Sequence, residues 1–582
     1  VGIAWALGTA VWHIIWYLFS LVGGWFCGLL LWGVFGVGWI GASAIWWKIY
    51  LNAEVQGRRG EKGLLFSRWR WQHTALLLIL LVGMGVRLLA VRDLNVPPWV
   101  DASRHALITA VMVENGRTLV NYEPILPIYR FPYHFGFHTI SASLMLMGSW
   151  TLENLLLYVG QFINGLLPLV GFAATWLLTR RRNASLIAGF LVAIPFFFPA
   201  YYATWGRFTQ LTAMFIMPVL LAMTWLQVHG AKRWRSLWWV TALLAAGVFL
   251  VHFRVFIFYV PFVVVLWLLS GGRNGRYLLA TGLLGGGIVL PRIFSLNSQT
   301  EPVKSLGYNL PGYNKFPVGY YEAGWDRYFI WLAAVLFVLV IIALIRKRVW
   351  GWLPLILVVW VAALFLLLAG DYLNLPSTSI VNLNSMYITL FLPLALYLGV
   401  LLDRVWAWLQ QRRDPVRAVA YLLAGVLITA VSIFGIRQQI TILNLVTVLV
   451  WPQDLAALNW LDENLPEDAH LAANSWLWLG NTYAGSDGGA WIVPLTRRMS
   501  TIPPADYNYE RELSQQITTF NETATAVTDW DDPANIDWLK EEGVTHIFVG
   551  AKGGFMDPAL LMKTGRVVPI YAQDGVFIFA LD

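Results

Sequence analysis

An aspartate followed four residues later by a histidine, and beyond it two histidines at the same spacing, can hold a metal ion or move a proton. Asp101 and His105 form the first pair, in WVDASRHALI, and His134 and His138 the second, in RFPYHFGFHTI. Residues i and i+4 share a face of a helix, so each pair converges if its segment is helical. Asp101 follows Pro97 and Pro98, which stiffen its approach, and precedes an amphipathic stretch, so a role as helix N-cap competes with a chemical one. A capping carboxylate keeps a free oxygen, and the two roles are compatible. The acid of a metalloprotease helix is missing between His134 and His138, which favours aromatic packing over ligation. Glu114 and Glu123 add further carboxylates to the same polar interval.

Two arginines lie further along, Arg207 in TWGRFTQ and Arg254 in VHFR, each at the end of an apolar run without a neighbouring acid. Such an arginine either snorkels to the membrane interface or grips an anion such as a lipid phosphate, a task suited to a planar, permanently charged guanidinium. His252, two residues before Arg254, is placed to assist.

A membrane scaffold must position these groups. The chain has 582 residues, 58% of them hydrophobic and 12% charged, with a mean hydropathy of +0.61, far outside the soluble globular range. Recurrent apolar runs identify spanning helices rather than a barrel, whose alternating pattern is absent. Basic residues cluster after every second run, at Lys48 to Arg70, Arg180 to Arg182, Lys232 to Arg235, Arg273 to Arg276, Arg346 to Arg348 and Arg404 to Arg417. The positive-inside rule then predicts about 13 spans, with the N-terminus cytoplasmic and the C-terminus outside. On that topology residues 1–436 form a multi-span domain and residues 92–154 a large external loop that carries Asp101. The segments Tyr201 to Arg207, His252 to Arg254, Pro291 to Arg327 and Asp371 to Tyr387 fall on the same face. The third span, about Thr74 to Val91, delivers the chain to that loop.

From Arg437 to the end there are 8 basic and 19 acidic residues, a net −11, which leaves +19 for the rest. Residues 437–582 therefore read as a separate, extracytoplasmic α/β domain, with helices at Gln453 to Glu463 and Asn535 to Glu542. Strands are expected at Leu471 to Trp478 and Thr545 to Gly550, and a hairpin over Arg566 to Ala580. The basic excess in the spanning part is an orientation signal, and no nucleic-acid partner is expected. The lone Cys27 excludes an internal disulfide framework and a multi-cysteine metal site.

A long first external loop with an acid in VDASRHALI, then RFPYHFGFHTISA, spans separated by short basic turns, and a soluble tail opening LNWLDENLPEDAHLAANSW together resemble the C-type (GT-C) membrane glycosyltransferases, in particular bacterial members. The tail segment GNTYAGSDGGAWIVPLTRRMSTIPP, Gly480 to Pro504, adds to the likeness. The resemblance implies a bacterial plasma-membrane enzyme that moves a hexose or pentose from a polyprenyl-phosphate donor to a glycan, lipid or protein acceptor on the non-cytoplasmic face. It implies that Asp101 is the catalytic base or organises a metal. Many members carry two adjacent acids at this point; here Val100 and Ala102 flank Asp101, and Glu123 is the candidate second carboxylate. Arg207 and Arg254, with His252, would bind the donor phosphate, and His105, His134 and His138 would support the site. A divalent metal ion, held by Asp101 and His105, is a candidate cofactor. Asp371 to Tyr387 and Gly480 to Trp491 would contact sugar or acceptor. A non-catalytic subunit of a larger membrane complex is the first alternative. A lipid or sugar transporter is the second, and it requires ionisable residues in mid-span and paired broken helices.

Overall fold

The computed structural model describes residues 1–55, 70–299, 326–345, 352–369 and 381–582. Most of the basic loop Lys48 to Arg70 lies outside the described residues, as do the cluster Arg346 to Arg348, residues 300–325 and residues 371–380. The apolar runs fold as helices: α1 (Gly2–Leu21), α2 (Gly28–Val55), α3 (Trp71–Ala90), α4 (Val100–Asn115), α5 (Gly136–Met147), α6 (Leu152–Thr179), α7 (Arg182–Ala193) and α8 (Phe208–His229). They continue as α9 (Trp238–Val251), α10 (Phe253–Leu269), α11 (Gly275–Gln299), α12 (Asp326–Ile345), α13 (Leu353–Leu368), α14 (Phe391–Leu409) and α15 (Asp414–Ile440). Among the described residues eight helical stretches are long and apolar enough to cross a bilayer, and the chain is a multi-pass membrane protein.

Several expected spans are shorter. α7 has 12 residues and α9 has 14. At a rise of about 1.5 Å per residue they reach roughly 18 and 21 Å, less than the ~30 Å of hydrocarbon. Helix ends at that depth need partners for their carbonyls. α7 ends beside Arg87, whose guanidinium donates to the carbonyls of Ala193 (2.7 Å) and Val192 (3.2 Å), to Asn164 Oδ1 (3.0 Å) and to Gln439 Oε1 (2.8 Å). Gln439 in turn donates to the carbonyls of Ile194 and Phe196, and Asn164 to that of Pro199. This knot ties α3, α6 and α15 to the broken end of α7. Between α9 and α10 the chain turns at one residue, His252, whose imidazole accepts the Val255 N–H.

The tail is an α/β unit. Its five-stranded sheet has the order β4-β1-β5-β7-β6, built from β1 (His470–Ala473), β4 (Met499–Ser500), β5 (His546–Val549), β6 (Val567–Gln573) and β7 (Val576–Leu581). β1 runs parallel to β4 and β5, whereas β7 is antiparallel to both its neighbours. Asp574 and Gly575, at φ 49° and 82°, make the two-residue turn of the β6–β7 hairpin. A second pair, β2 (Ser475–Leu479) and β3 (Thr482–Gly485), is antiparallel. Helices α16 (Pro452–Asn464), α17 (Arg511–Ala526) and α18 (Pro533–Glu541) complete it.

The tail packs against α4. Trp99 stacks near Trp476 with ring centroids 5.5 Å apart, its N–H donates to the Thr447 carbonyl (2.8 Å), and Val100 is buried with Ala484 and Ala505. At the far end of the helix Glu114 pairs with Arg497 at 2.6 Å.

Candidate active site

Asp101 lies in the first turn of α4 and does not cap it. Trp99 occupies the N-cap position at φ 74°, without a side-chain cap bond. The carboxylate, 12% exposed, instead accepts Arg207 Nε on Oδ2 at 3.1 Å, and its Oδ1 lies 4.0 Å from Arg104 Nη1. Arg207 reaches α4 because Gly206 sits at φ 62° with Ala102 and Pro98 directly against it; a Cβ there would stand 2.9 Å from the Ala102 Cβ. The ring of Trp205 lies under the Arg207 guanidinium at 4.9 Å.

Four buried histidines line the neighbouring space, paired differently from their sequence spacing. His105 Nδ1 lies 3.0 Å from His138 Nε2, so the two imidazoles share one hydrogen. His134 lies against His252 with ring centroids 3.9 Å apart and planes tilted by 36°, and its Nε2 is 3.2 Å from Thr209 Oγ1. Gly136 permits this approach, since a Cβ there would meet Val251 Cα at 2.5 Å. Burial pushes both His105 and His134 well below the ordinary imidazole range, and nearby cations push the same way, Arg104 at His105 and Arg254 at His134. Arg254 therefore acts on this cluster electrostatically. The site is one of neutral imidazoles beside permanent cations.

Glu123 is elsewhere. Its side chain is exposed and accepts Asn121 Nδ2 at 3.0 Å. The second carboxylate drawn into the cluster is Asp506, from the tail. It is fully buried, accepts Arg104 Nε on Oδ2 (3.1 Å) and Nη2 on Oδ1 (3.2 Å), and accepts the Tyr122 hydroxyl (2.7 Å). Arg104 also donates to the Tyr509 hydroxyl (2.7 Å) and lies 4.7 Å from the Tyr133 ring. Burial alone would lower its pKa, but Asp506, Tyr509 and Tyr133 more than compensate and hold it charged. Burial beside Asp506 likewise raises the Tyr122 hydroxyl. Sequence reasoning passed over Arg104, Tyr122, Asp506 and Tyr509; Arg104 stands in the quoted VDASRHALI, but its partner is 402 residues away.

The donor set does not suit a divalent cation. Among the described residues no three His, Cys, Asp or Glu side chains are grouped to hold one. Asp101 faces two guanidiniums, and His105 Nδ1 is turned to His138, so no step below is routed through a metal.

The helical membrane bundle with its docked α/β tail is a fold that the chain shares with solved structures. Among solved structures the chain is similar to the archaeal oligosaccharyltransferase AglB from Archaeoglobus fulgidus in complex with an inhibitory peptide and a dolichol-phosphate, with a TM-score of 0.53 at 13% identity over 89% of this chain and 75% of that one. It is similar to the same A. fulgidus enzyme tethered to an acceptor peptide containing the NVT sequon, with a TM-score of 0.52 at 13% identity over 89% and 74%. No family model matches the sequence, and no curated protein matches it.

Proposed function

We propose that this chain is a membrane glycosyltransferase that moves a glycan from a polyprenyl-phosphate-linked donor to an acceptor on the non-cytoplasmic face. Asp101 is its general base, and Arg207 binds the donor phosphate together with Arg254 and His252. The observation that carries the reading is the Asp101–Arg207 pair at 3.1 Å, in a fold shared with an oligosaccharyltransferase that holds dolichol-phosphate and peptide. An acid and a cation in contact bracket the space of one anomeric centre. A phosphate entering from the bilayer takes over the Arg207 guanidinium and releases Asp101. The acceptor nucleophile then bonds to the anomeric carbon as its proton passes to Asp101, and the carbon–oxygen bond to phosphate breaks with the electron pair leaving on the lipid phosphate. Neutral His134 and His252 can donate to phosphate oxygens without adding charge. The peptide bound by the neighbours makes a protein acceptor the first to try.

The test is Asp101→Asn in membranes supplied with lipid-linked sugars and peptide, glycan and lipid acceptors. Transfer should fall about a hundredfold or more, the usual worth of a positioned base. Undiminished transfer would refute the assignment, and a wild-type chain inactive with every donor would favour the non-catalytic subunit. Mass spectrometry of lipid that co-purifies with the wild-type protein identifies the donor.

A further inference from the structure

We propose that Asp506 of the tail is a positioning residue that keeps Asp101 available by holding Arg104 away from it. The inference rests on the reading above and adds a link from tail docking to the base. Four charges alternate in a row: Asp506, Arg104, Asp101, Arg207. Arg104 is three residues from Asp101 on the same helix, with Nη1 4.0 Å from Oδ1, just beyond hydrogen-bonding distance. Its Nε and Nη2 are spent on both oxygens of Asp506, and Nη2 also on Tyr509. A bidentate pair fixes the guanidinium plane as well as its position. Tyr122 fixes the carboxylate from the other side at 2.7 Å, and Asp506 is entirely buried.

A buried guanidinium that loses its carboxylate takes the nearest other anion. Here that anion is Asp101, and its capture displaces Arg207. Asp506 therefore decides which arginine hydrogen-bonds to the base. Because Asp506 belongs to the tail while Arg104 and Asp101 belong to α4, the site is complete only with the tail seated. The contacts Glu114–Arg497 and Trp99–Trp476 align the two parts along the same helix.

The experiment compares Asp506→Asn, Asp506→Glu and the double variant Arg104→Gln with Asp506→Asn, in the full chain, by transfer and by binding of farnesyl phosphate. Asp506→Asn should lower transfer tenfold or more while tightening farnesyl phosphate several-fold, because Arg207 is released as Asp101 is captured. The double variant should return both values toward wild type, and Asp506→Glu should retain transfer. A purely structural role lowers transfer and binding together, so weaker or unchanged binding in Asp506→Asn overturns the proposal. If the wild-type chain transfers no sugar, the proposed function fails, and the binding comparison still decides the pairing.

Discussion

Arg87 in the bundle and the pair Arg104 and Arg207 at the candidate site are satisfied in opposite ways. Arg87 is surrounded by neutral acceptors: three backbone carbonyls, an asparagine and a glutamine. Each is fixed by the backbone or by a second bond, so the knot has one arrangement. Arg104 and Arg207 share two carboxylates. Their ion pairs run in a row between two carboxylates, the arrangement into which the proposed function brings the donor phosphate. A cation beside a broken helix would otherwise suit a transporter, but Arg87 lies in the last turn of α3 and its shell of neutral acceptors makes it a fastening for α7. The contrast separates scaffold from site by the chemistry of the partners.

Removing each arginine in turn is the most direct way to break that contrast. Arg87→Leu strands the α7 carbonyls and Gln439 in a region without water and should cost about 3 kcal/mol or more. Folded protein recovered in detergent and its melting temperature would register the loss; a variant that melts like wild type would remove the knot from the scaffold. Arg207→Gln should leave the melting temperature within a few degrees yet lower transfer about a hundredfold, the scale of one lost charge-stabilising donor. Equal effects of the two substitutions on stability would erase the distinction.

Much of the scaffold was legible because apolar runs and basic clusters report membrane crossings directly. The site was legible by location and less by pairing. His134 and His138 are four residues apart, but α5 starts only at Gly136, so the helical rule does not reach His134. It packs against His252, while His138 pairs with His105 across two helices. The N-cap role that competed with a chemical one for Asp101 falls to Trp99, whose backbone bond to Thr447 leaves no sign in the local sequence. Glu123 was named by its nearness in sequence, whereas the carboxylate that joins the cluster, Asp506, comes from the tail. Local periodicity located the β6–β7 hairpin and the helix at Pro452–Asn464. Contacts between distant polar residues leave no such periodic trace.

A smaller effect sharpens the comparison through backbone alone. Gly206→Ala adds a Cβ 2.9 Å from that of Ala102 at a positive φ, while Gly23, also at positive φ, has nothing within 4 Å. Both substitutions carry left-handed strain of about 1 kcal/mol or more. Only the first pushes Arg207 off Asp101, so transfer should fall about tenfold in Gly206→Ala, as expected of a displaced group at a reacting centre, and should hold in Gly23→Ala. Equal activity of the two would mean that the close approach of Gly206 does not position Arg207.

The smallest effect on transfer is expected at Asp487, another of the tail's buried acids. Asp506 is paired with a cation, whereas among the described residues Asp487 accepts from neutral donors: Gly489 N–H (2.9 Å), Gly550 N–H (2.8 Å) and Asn474 Nδ2 (3.2 Å). Burial raises the Asp487 carboxyl to about 7; the three donors oppose the rise, and nearby Asp454 adds to it. The folded tail then keeps a proton that the unfolded chain releases near the ordinary carboxyl value. Its stability is greatest below that value and falls as pH rises toward about 7, with a slope approaching 1.4 kcal/mol per pH unit, roughly one proton's linkage. Hydrogen exchange of residues 486–491 and 548–551 in the full chain, corrected for intrinsic rates, should show protection falling between pH 5 and 7. Asp487→Asn should flatten that slope whatever it does to the absolute protection, because the titrating group is gone. A slope that survives the substitution would assign the proton elsewhere and leave neutral donors alone sufficient to keep Asp487 charged.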